Sequence, residues 1–206
     1  MNKFIYAVII IFIIISPLSS EERVSAGLTA GYHYDSGNFS SQSGFDGTVQ
    51  QNVSAGAVFK IDFNYIFLRS GAEISYPFIK GDSGSNVGKT AVSFVEVPLY
   101  AGVNFFIRNY GSFYMGGGGS YLFGFGNITA SAGKININEQ LFGYGMIAGL
   151  DLEIHGSTSF LLEWGYVVSR SSPVAPSDQL DPYDDYSVDF SGHRIRAGFL
   201  YHFNRY

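Results

Sequence analysis

The chain has 206 residues and a formal net charge of −5, and only 14% of its residues are charged while 17% are aromatic. Ordinary soluble domains carry about 25% charged residues, so the composition argues against a fully water-exposed surface. The acidic excess argues against nucleic-acid binding. The absence of cysteine excludes disulfides and thiolate metal sites, and we expect no metal or other cofactor.

Residues 1–20 have the layout of a secretory signal peptide. Lys3 precedes an apolar run from Phe4 to Ile15, and a proline and small residues follow it. This arrangement predicts cleavage near Ser20. A retained transmembrane anchor is the alternative, although the run is short for a span. No later segment resembles a spanning apolar helix, so residues 21–206 form one exported domain that crosses a membrane only if it does so as strands.

After this leader, apolar residues alternate with polar or small residues. A period of two is typical of a β-strand, because successive side chains point to opposite faces. In the first segment, Val24, Leu28 and Tyr32 share one face, and Gly27 and His33 share the other. Eight such segments are predicted as strands, at about 23–34, 52–63, 68–78, 95–105, 112–125, 142–154, 160–169 and 194–203.

Two of the predicted strands carry irregular features. Pro98, in the fourth strand, cannot donate a backbone hydrogen bond to a neighbouring strand. The glycine run Gly116–Gly119 in the fifth strand removes the contrast between the two faces, and we expect it to let a neighbouring backbone or an aromatic ring pack closely. The residues of this strand that we predict to face outward are Phe113, Met115, Tyr121 and Phe123.

The connections between the predicted strands alternate in length. Long polar loops cover about 35–51, 80–91, 126–139 and 170–188, and short links lie near Asn64, Arg108 and Gly156. Four long loops at one end and three short turns at the other predict an all-β, eight-stranded, up-and-down antiparallel barrel of the outer membrane. Both termini would then be periplasmic and the long loops extracellular. A soluble lipocalin-like barrel also accommodates unequal ends and remains the alternative.

The aromatic residues on the apolar faces favour the membrane barrel over the soluble one. They fall into two groups separated by mostly aliphatic residues, as expected for a lipid slab with two interfaces. A soluble core would hold its largest rings at its centre. The long-loop group is Tyr32, Tyr34, Tyr76, Phe78, Tyr121, Phe123, Phe142, Tyr144 and Tyr166, and the short-turn group is Phe63, Phe105, Phe113, Phe160, Tyr201 and Phe203.

The last predicted strand, RIRAGFLYHF, carries a more specific pattern. Arg196, Gly198, Tyr201 and Phe203 occupy the places of a polar residue, a glycine and two aromatic residues. With this strand the chain resembles the small bacterial outer-membrane barrels of the OmpA and OmpX type. The resemblance implies contact with outer-membrane lipid and recognition by the barrel-assembly machinery, and we expect a monomer. The family usually ends at the final aromatic residue, whereas Asn204–Tyr206 follow it here.

The inward face is predicted to hold a network of paired charges. The interior of an eight-stranded barrel is just wide enough for side chains to fill, and buried charges persist only when they are paired. We predict that Arg194 and Arg196 face Glu163 and either Glu73 or Glu96. A narrow ion-conducting lumen is the alternative. The remaining predicted lumen residues are Lys60, Asp62, Arg69, Asp151, Glu153 and His202.

The fourth long loop is the most distinctive predicted surface segment. It is rich in acidic residues and suited to binding a divalent cation or a basic partner, with a solvated acidic loop as the alternative. Its spacing does not match an EF-hand, because the required Gly and the terminal Glu are missing. The candidate binding residues in this loop are Asp178, Asp181, Asp184 and Asp185.

Three functions are compatible with this sequence. The first is an outer-membrane barrel that acts through its surface loops in envelope structure or in contact with a host or a neighbouring cell. The second is a narrow porin-like channel for small or hydrophobic solutes. The third is a lipid-modifying enzyme, for which His193, Ser191 and Asp189 are the candidate group. Serines and aspartates are frequent in the loops, so this grouping is expected by coincidence, and we expect no enzymatic activity.

Overall fold

The structure, a computed structural model, describes residues 22–35, 38–41, 46–48, 51–79, 81–83, 87–107, 110–130, 133–169 and 186–203. In this part of the chain, no helix is long and apolar enough to cross a membrane. The strands are β1 (Glu22–Asp35), β2 (Asn38–Ser41), β3 (Asp46–Thr48), β4 (Gln51–Phe63), β5 (Ile66–Ile79), β6 (Gly81–Ser83), β7 (Val87–Ile107), β8 (Gly111–Ala130), β9 (Gly133–His155), β10 (Thr158–Val168), β11 (Tyr186–Val188) and β12 (Gly192–His202).

Eight long strands form one closed antiparallel barrel. The strand order is β5-β4-β1-β12-β10-β9-β8-β7, and a further pairing between β5 and β7 closes the sheet. Each long strand pairs with its predecessor and successor in the chain, and β1 pairs with β12. All pairings are antiparallel. The predicted all-β up-and-down barrel is therefore confirmed.

The exposure of the side chains shows which face of each strand is buried. The apolar face points outward: Leu28 is 73% exposed, Phe142 69% and Phe199 59%. The charged face points inward, where Arg194 and Glu163 are 0% and 1% exposed. A water-soluble barrel would bury its apolar face in its interior. The chain does the opposite, as a barrel surrounded by lipid must.

The glycine run in β8 brings two backbones close together. Gly116 and Gly118 point inward, and an added Cβ would lie 2.3 and 2.0 Å from the carbonyl oxygens of Ala101 and Leu99. Only glycine fits such a close approach without displacing β7. The neighbouring residues of β8 have the predicted register, because Met115 faces outward and is 47% exposed.

The third long loop was predicted incorrectly. The β8–β9 ladder continues without interruption to the pair Ala130↔Gly133, so most of residues 126–139 form a hairpin. Paired backbone groups satisfy each other in such a ribbon even where no core forms. The first, second and fourth loops also contribute short strands: β2 pairs with β3 and β11, and β6 pairs with β7.

Two of the short links are tight turns at the predicted places. Asn64 has a φ of 53° and, with Tyr65, joins β4 to β5. Gly156 has a φ of 50° and, with Ser157, joins β9 to β10. Positive φ at the first central residue is typical of the two-residue turns whose twist matches antiparallel strands. These turns define the turn end of the barrel, opposite the long-loop end.

The seam between β5 and β7 has an interrupted ladder. Its register runs from Ile66 to Ser70 and resumes from Glu73 to Ser75, which leaves residues 71–72 without a register partner on β7. The gap lies beside Pro98, which has no N–H to donate. The hydroxyl of Ser70 donates to the Pro98 carbonyl oxygen at 2.9 Å, so a side chain supplies one link across this seam.

Candidate functional site in the barrel lumen

A group of buried charges fills the middle of the lumen. Its side chains come from β5, β7, β10 and β12, and none is more than 6% exposed. Positive and negative groups are equal in number, so the formal charge of the group is zero. Because inward positions alternate along strands that lie side by side, the fold brings these residues together from distant parts of the sequence. We call it the central cluster: Arg69, Glu73, Glu96, Glu163, Arg194 and Arg196.

Arg196 connects all three glutamates of the central cluster. Its Nε lies 2.5 Å from Glu73 Oε2, its Nη1 lies 3.1 Å from Glu163 Oε1, and its Nη2 lies 3.4 Å from Glu96 Oε2. A guanidinium presents several donors in a fixed plane, which suits it to bind several carboxylates at once. The sequence left open whether Glu73 or Glu96 faces the arginines, and the structure brings both to Arg196.

The other two arginines share the same carboxylates. Arg194 Nη1 lies 2.8 Å from Glu96 Oε1, and Arg69 Nε lies 2.7 Å from Glu163 Oε2. Each of these glutamates therefore contacts two arginines. Loss of one arginine would leave a carboxylate with fewer partners in a buried site, which is costly.

The central cluster also spans the irregular β5–β7 seam. Glu73 and Glu96 are direct register partners across this seam, and like charges placed opposite each other repel. Arg196 contacts both and removes this repulsion. His33 adds a further link, because its Nε2 lies 2.6 Å from Glu73 Oε1. The arginine thus holds together the two strands whose backbone ladder is interrupted.

A second group of charges lies at the turn end. Arg23 contacts the carboxylates of Asp151, Asp62 and Glu153 at 2.8, 3.3 and 3.4 Å. Lys60 Nζ lies 3.0 Å from Asp62 Oδ1 and 3.5 Å from Asp151 Oδ2. We call these five residues the turn-end cluster. Its three carboxylates exceed its two cations, and it is less enclosed, since the side chains of Arg23 and Glu153 are 16% and 29% exposed.

Tyr114 joins the two clusters. Its hydroxyl donates to Glu163 Oε2 at 2.8 Å, and Lys60 Nζ lies 4.5 Å from the centroid of its ring. The ring packs edge-on against Phe67 at 5.1 Å. Gly149 makes room for it, because an added Cβ would lie 2.4 Å from Tyr114 Cζ. Aromatic rings therefore close the space between the charged groups.

His202 lies near the turn end between two serine hydroxyls. Its Nδ1 is 2.7 Å from Ser25 Oγ and its Nε2 is 3.0 Å from Ser159 Oγ, while Asp151 Oδ1 is 4.0 Å away. These residue types are those of a nucleophilic triad. All four side chains are at most 1% exposed, so this arrangement offers a substrate no access and serves to satisfy buried polar groups.

An apolar layer closes the lumen at the long-loop end. Phe190 is 3% exposed and its ring centroid lies 5.7 Å from that of Phe94. The Phe190 N–H donates to the Ser169 carbonyl oxygen at 2.8 Å, which ties the segment before β12 to the end of β10. The other buried residues of this layer are Val92, Leu122 and Leu141.

The proposed enzyme group does not converge on one point. The Ser191 N–H donates to Asp189 Oδ1 at 2.8 Å, and Ser191 Oγ accepts from the Ser169 N–H at 3.0 Å. His193 instead faces outward and contacts the rings of aromatic residues on the barrel surface. In the described residues, no group of three or more His, Cys, Asp or Glu side chains is arranged to hold a metal ion.

The final strand has the predicted alternation. Arg196 and Gly198 point inward, whereas Tyr201 and Phe203 are 53% and 58% exposed. The Phe203 N–H donates to the Val24 carbonyl oxygen at 2.9 Å, which extends the closure of the barrel beyond β12. The candidate loop residues Asp178, Asp181, Asp184 and Asp185 lie outside the described residues.

Sequence reasoning missed three members of the charged lumen. Arg23 holds the turn-end cluster together. It lies two residues before the inward-facing Ser25, so the period of two predicts that Arg23 also faces inward. His33 was placed on the inward face, but its pairing with Glu73 was not foreseen. Tyr114 was assigned no role, because partners on non-adjacent strands depend on the tilt of the strands and not on sequence spacing.

Comparisons with known proteins agree with this architecture. The model of the outer membrane protein beta-barrel domain family matches residues 5–203. The structure of the outer membrane protein OprG from Pseudomonas aeruginosa is similar with a TM-score of 0.65 at 16% identity, over 89% of this chain and 96% of that chain. The structure of Neisserial surface protein A is similar with a TM-score of 0.53 at 11% identity, over 86% and 96%.

A comparison with curated proteins gave no match. The likeness to the two solved structures, at such low identity, concerns the fold alone. The family match covers nearly the whole chain, and the outward apolar face with its inward charges is the arrangement that a lipid environment requires. The chain therefore belongs to the outer membrane protein beta-barrel domain family and is a bacterial outer-membrane β-barrel protein.

Proposed function

We propose that this protein is a monomeric, non-conducting barrel that acts at the cell surface through its long-loop end, in envelope structure or in contact with a host or a neighbouring cell. In this proposal both termini lie in the periplasm. The observation that supports it most is the filled lumen, in which Arg196 contacts three glutamates from three strands.

The two charged clusters and the aromatic side chains oppose ion flow. A passing ion would have to separate the Arg196 pairs, and breaking a buried ion pair costs about 3–5 kcal/mol. It would then meet the buried rings of Tyr114 and Phe67, and the Phe190 layer at the long-loop end. These barriers act in series, which favours a structural lumen over a conducting one.

The long-loop end offers ordered backbone for contacts. Strands β7, β8 and β9 continue past the last β9–β10 register pair, Tyr144↔Val168, and β2, β3 and β11 form a separate three-stranded sheet. Surface elements positioned by a rigid barrel are typical binding sites. We propose that the acidic residues between Asp178 and Asp185 contribute contacts to a basic partner.

Planar-bilayer recording tests the filled lumen directly. We expect the wild-type protein to give no steady single-channel current. A variant in which Glu73, Glu96 and Arg196 are all replaced by Ala should give measurable openings, because three large side chains leave the lumen together. A steady wild-type conductance that changes on Glu163→Gln substitution would overturn the non-conducting proposal.

Single-cysteine labelling tests which end faces the cell exterior, since the natural chain contains no cysteine. Ser40→Cys places a thiol in β2 at the long-loop end, and Ser157→Cys places one in a turn at the opposite end. In intact cells, a membrane-impermeant maleimide should label only the Ser40→Cys protein, and lysis should allow labelling of both. The reverse pattern in intact cells would invert the proposed orientation.

A second candidate is a narrow path for hydrophobic solutes, and the β5–β7 seam is the observation that favours it. Residues 71–72 have no register partner on β7, so this is a place where the wall separates with few broken hydrogen bonds. A disulfide between Ala72→Cys and Val97→Cys would lock the seam. Uptake of a hydrophobic dye into vesicles should fall on oxidation and recover on reduction; uptake equal to that of protein-free vesicles would reject this candidate.

We also propose that the protein is not an enzyme. The geometry that supports this is the burial of Ser25, His202 and Ser159 and the separation of His193 from Ser191 and Asp189. Mass spectrometry of envelope lipids from cells with and without the protein should show the same species in both. A modified lipid that disappears with a His193→Gln or Ser25→Ala variant would contradict it.

A further inference from the structure

The outward face of the barrel carries an unusual side chain at its long-loop end. Its described positions are almost all aliphatic, aromatic or small, as lipid contact requires. His193 departs from this pattern: among the described outward residues of β1, β10 and β12 it alone carries an ionisable group other than a tyrosine hydroxyl, and the other exposed histidine, His155, lies at the opposite, turn end. An exposed imidazole at this end of the barrel can donate hydrogen bonds to a ligand outside the wall.

We propose that His193, with Tyr34, Tyr166 and Trp164, forms a binding site for the phosphate of an anionic lipid headgroup at the long-loop end of the barrel. This site lies on the outward surface, so its occupation does not depend on whether the lumen conducts.

The register places these residues in one patch across three adjacent strands. His193 is the partner of Tyr34 on β1 and of Tyr166 on β10. In the next outward row, Ile195 is the partner of Trp164. Residues directly opposite each other on one face have Cβ atoms about 4.5–5.5 Å apart. Tyr34 and Tyr166 therefore flank the imidazole in its own row of outward residues, and Trp164 lies in the next row.

Ring contacts hold the imidazole in place while leaving it accessible. Its centroid lies 4.8 Å from that of Tyr166 and 5.8 Å from that of Trp164. Tyr34 and Trp164 are 52% and 40% exposed, and His193 is itself exposed. Neither ring nitrogen of His193 has a hydrogen-bond partner among the described residues. The imidazole is thus held in place while both of its nitrogens stay available to a ligand.

The chemistry of the patch suits a phosphate group. Imidazole donates one hydrogen bond when neutral and two when protonated, and tyrosine hydroxyls and the indole N–H are further donors. A phosphate oxygen accepts such bonds strongly because it is ionised. None of the four side chains of the patch is a carboxylate. Its hydrogen-bond donors therefore suit an anionic headgroup better than a purely apolar ligand.

The depth of the patch favours a lipid as the source of the phosphate. His193 is the second residue of β12, Tyr34 is one residue from the end of β1, and Tyr166 is two residues from the end of β10. This level carries the aromatic residues of the long-loop group, which in membrane barrels mark the headgroup region. Below His193, the outward residues Ala197 and Phe199 would contact the acyl chains.

Lipid retention measured by native mass spectrometry tests the site. The full-length folded barrel is released from vesicles of phosphatidylglycerol mixed with digalactosyldiacylglycerol, an uncharged lipid without phosphate, and bound lipids are counted. We expect preferential retention of phosphatidylglycerol, and a loss of roughly tenfold in apparent affinity for His193→Phe, the ratio that one hydrogen bond to a charged group supplies. This variant keeps an aromatic ring between Tyr166 and Trp164 and removes only the nitrogens.

Tyr76→Phe is the matched control, because Tyr76 is also an exposed tyrosine at the long-loop end but lies on β5. It should retain phosphatidylglycerol like the wild type, and both variants should keep the heat-dependent gel mobility of a folded barrel. Equal retention by wild type and His193→Phe would overturn the proposal. Displacement of the bound lipid by millimolar inorganic phosphate would also overturn it, since the ligand would then be free phosphate.

Discussion

The central cluster and the turn-end cluster both place charges inside the barrel, but they differ in enclosure and balance. The central cluster pairs equal numbers of arginines and glutamates, and Arg196 is 1% exposed. The turn-end cluster has an excess carboxylate, and the Arg23 side chain is 16% exposed. Water at the rim solvates the excess carboxylate, whereas in the middle of the lumen the protein alone balances the charges. Distance from the rim therefore sets how closely the numbers of positive and negative groups agree.

Replacement of Arg196 should lower the stability of the barrel most. Arg196→Met leaves three buried glutamates with fewer partners, and we expect a loss of about 3–5 kcal/mol in the free energy of unfolding. Denaturant titration in detergent micelles, followed by gel mobility or tryptophan fluorescence, measures it. A loss below about 1 kcal/mol would show that the cluster behaves like an exposed ion pair.

Replacement of Arg23 should have a smaller effect. Lys60 still contacts both Asp62 and Asp151 in Arg23→Met, and water reaches the rim, so we expect a loss of about 1–2 kcal/mol. The same titration applies. If Arg23→Met and Arg196→Met lose the same free energy of unfolding, the depth of an ion pair in the lumen does not determine how much it stabilises the barrel.

The smallest effect is expected at the tyrosine between the clusters. Tyr114→Phe removes the hydroxyl that donates to Glu163 and should cost about 1 kcal/mol. Tyr100→Phe is the matched control, because the Tyr100 hydroxyl is also buried but has no hydrogen-bond partner in the described structure. It should be neutral or slightly stabilising. If both variants lose the same stability, the Tyr114 bond contributes nothing specific.

The sequence allowed prediction of the faces of the strands but not of the partners across the lumen. A period of two places Lys60, Arg69 and Glu163 on the inward face without knowledge of the neighbours. Which glutamates meet Arg196 depends on the tilt and stagger of the strands, which spacing does not reveal. The same limit explains why Tyr114 was not recognised as the link between the clusters.

The β8–β9 extension was missed for a different reason. Apart from Ile128, Ile135 and Ile137, its residues are polar or small, so its composition resembles that of a loop. Backbone pairing runs the length of the ribbon, and β7 pairs with β8 as far as Thr90↔Ile128. Hydrophobic periodicity detects buried faces, so it underestimates strands that project into water.

This extension makes the barrel a candidate scaffold for displaying foreign peptides. The last β9–β10 pair involves Tyr144, and β9 begins at Gly133, so the tip lies about 35 Å further along the strand at the usual rise per residue. A sequence inserted between Ala130 and Gly133 would be carried on two paired strands at a fixed spacing from the barrel. We expect the wall to fold with the insert in place, because the central cluster and the turn-end cluster lie on other stretches of the strands.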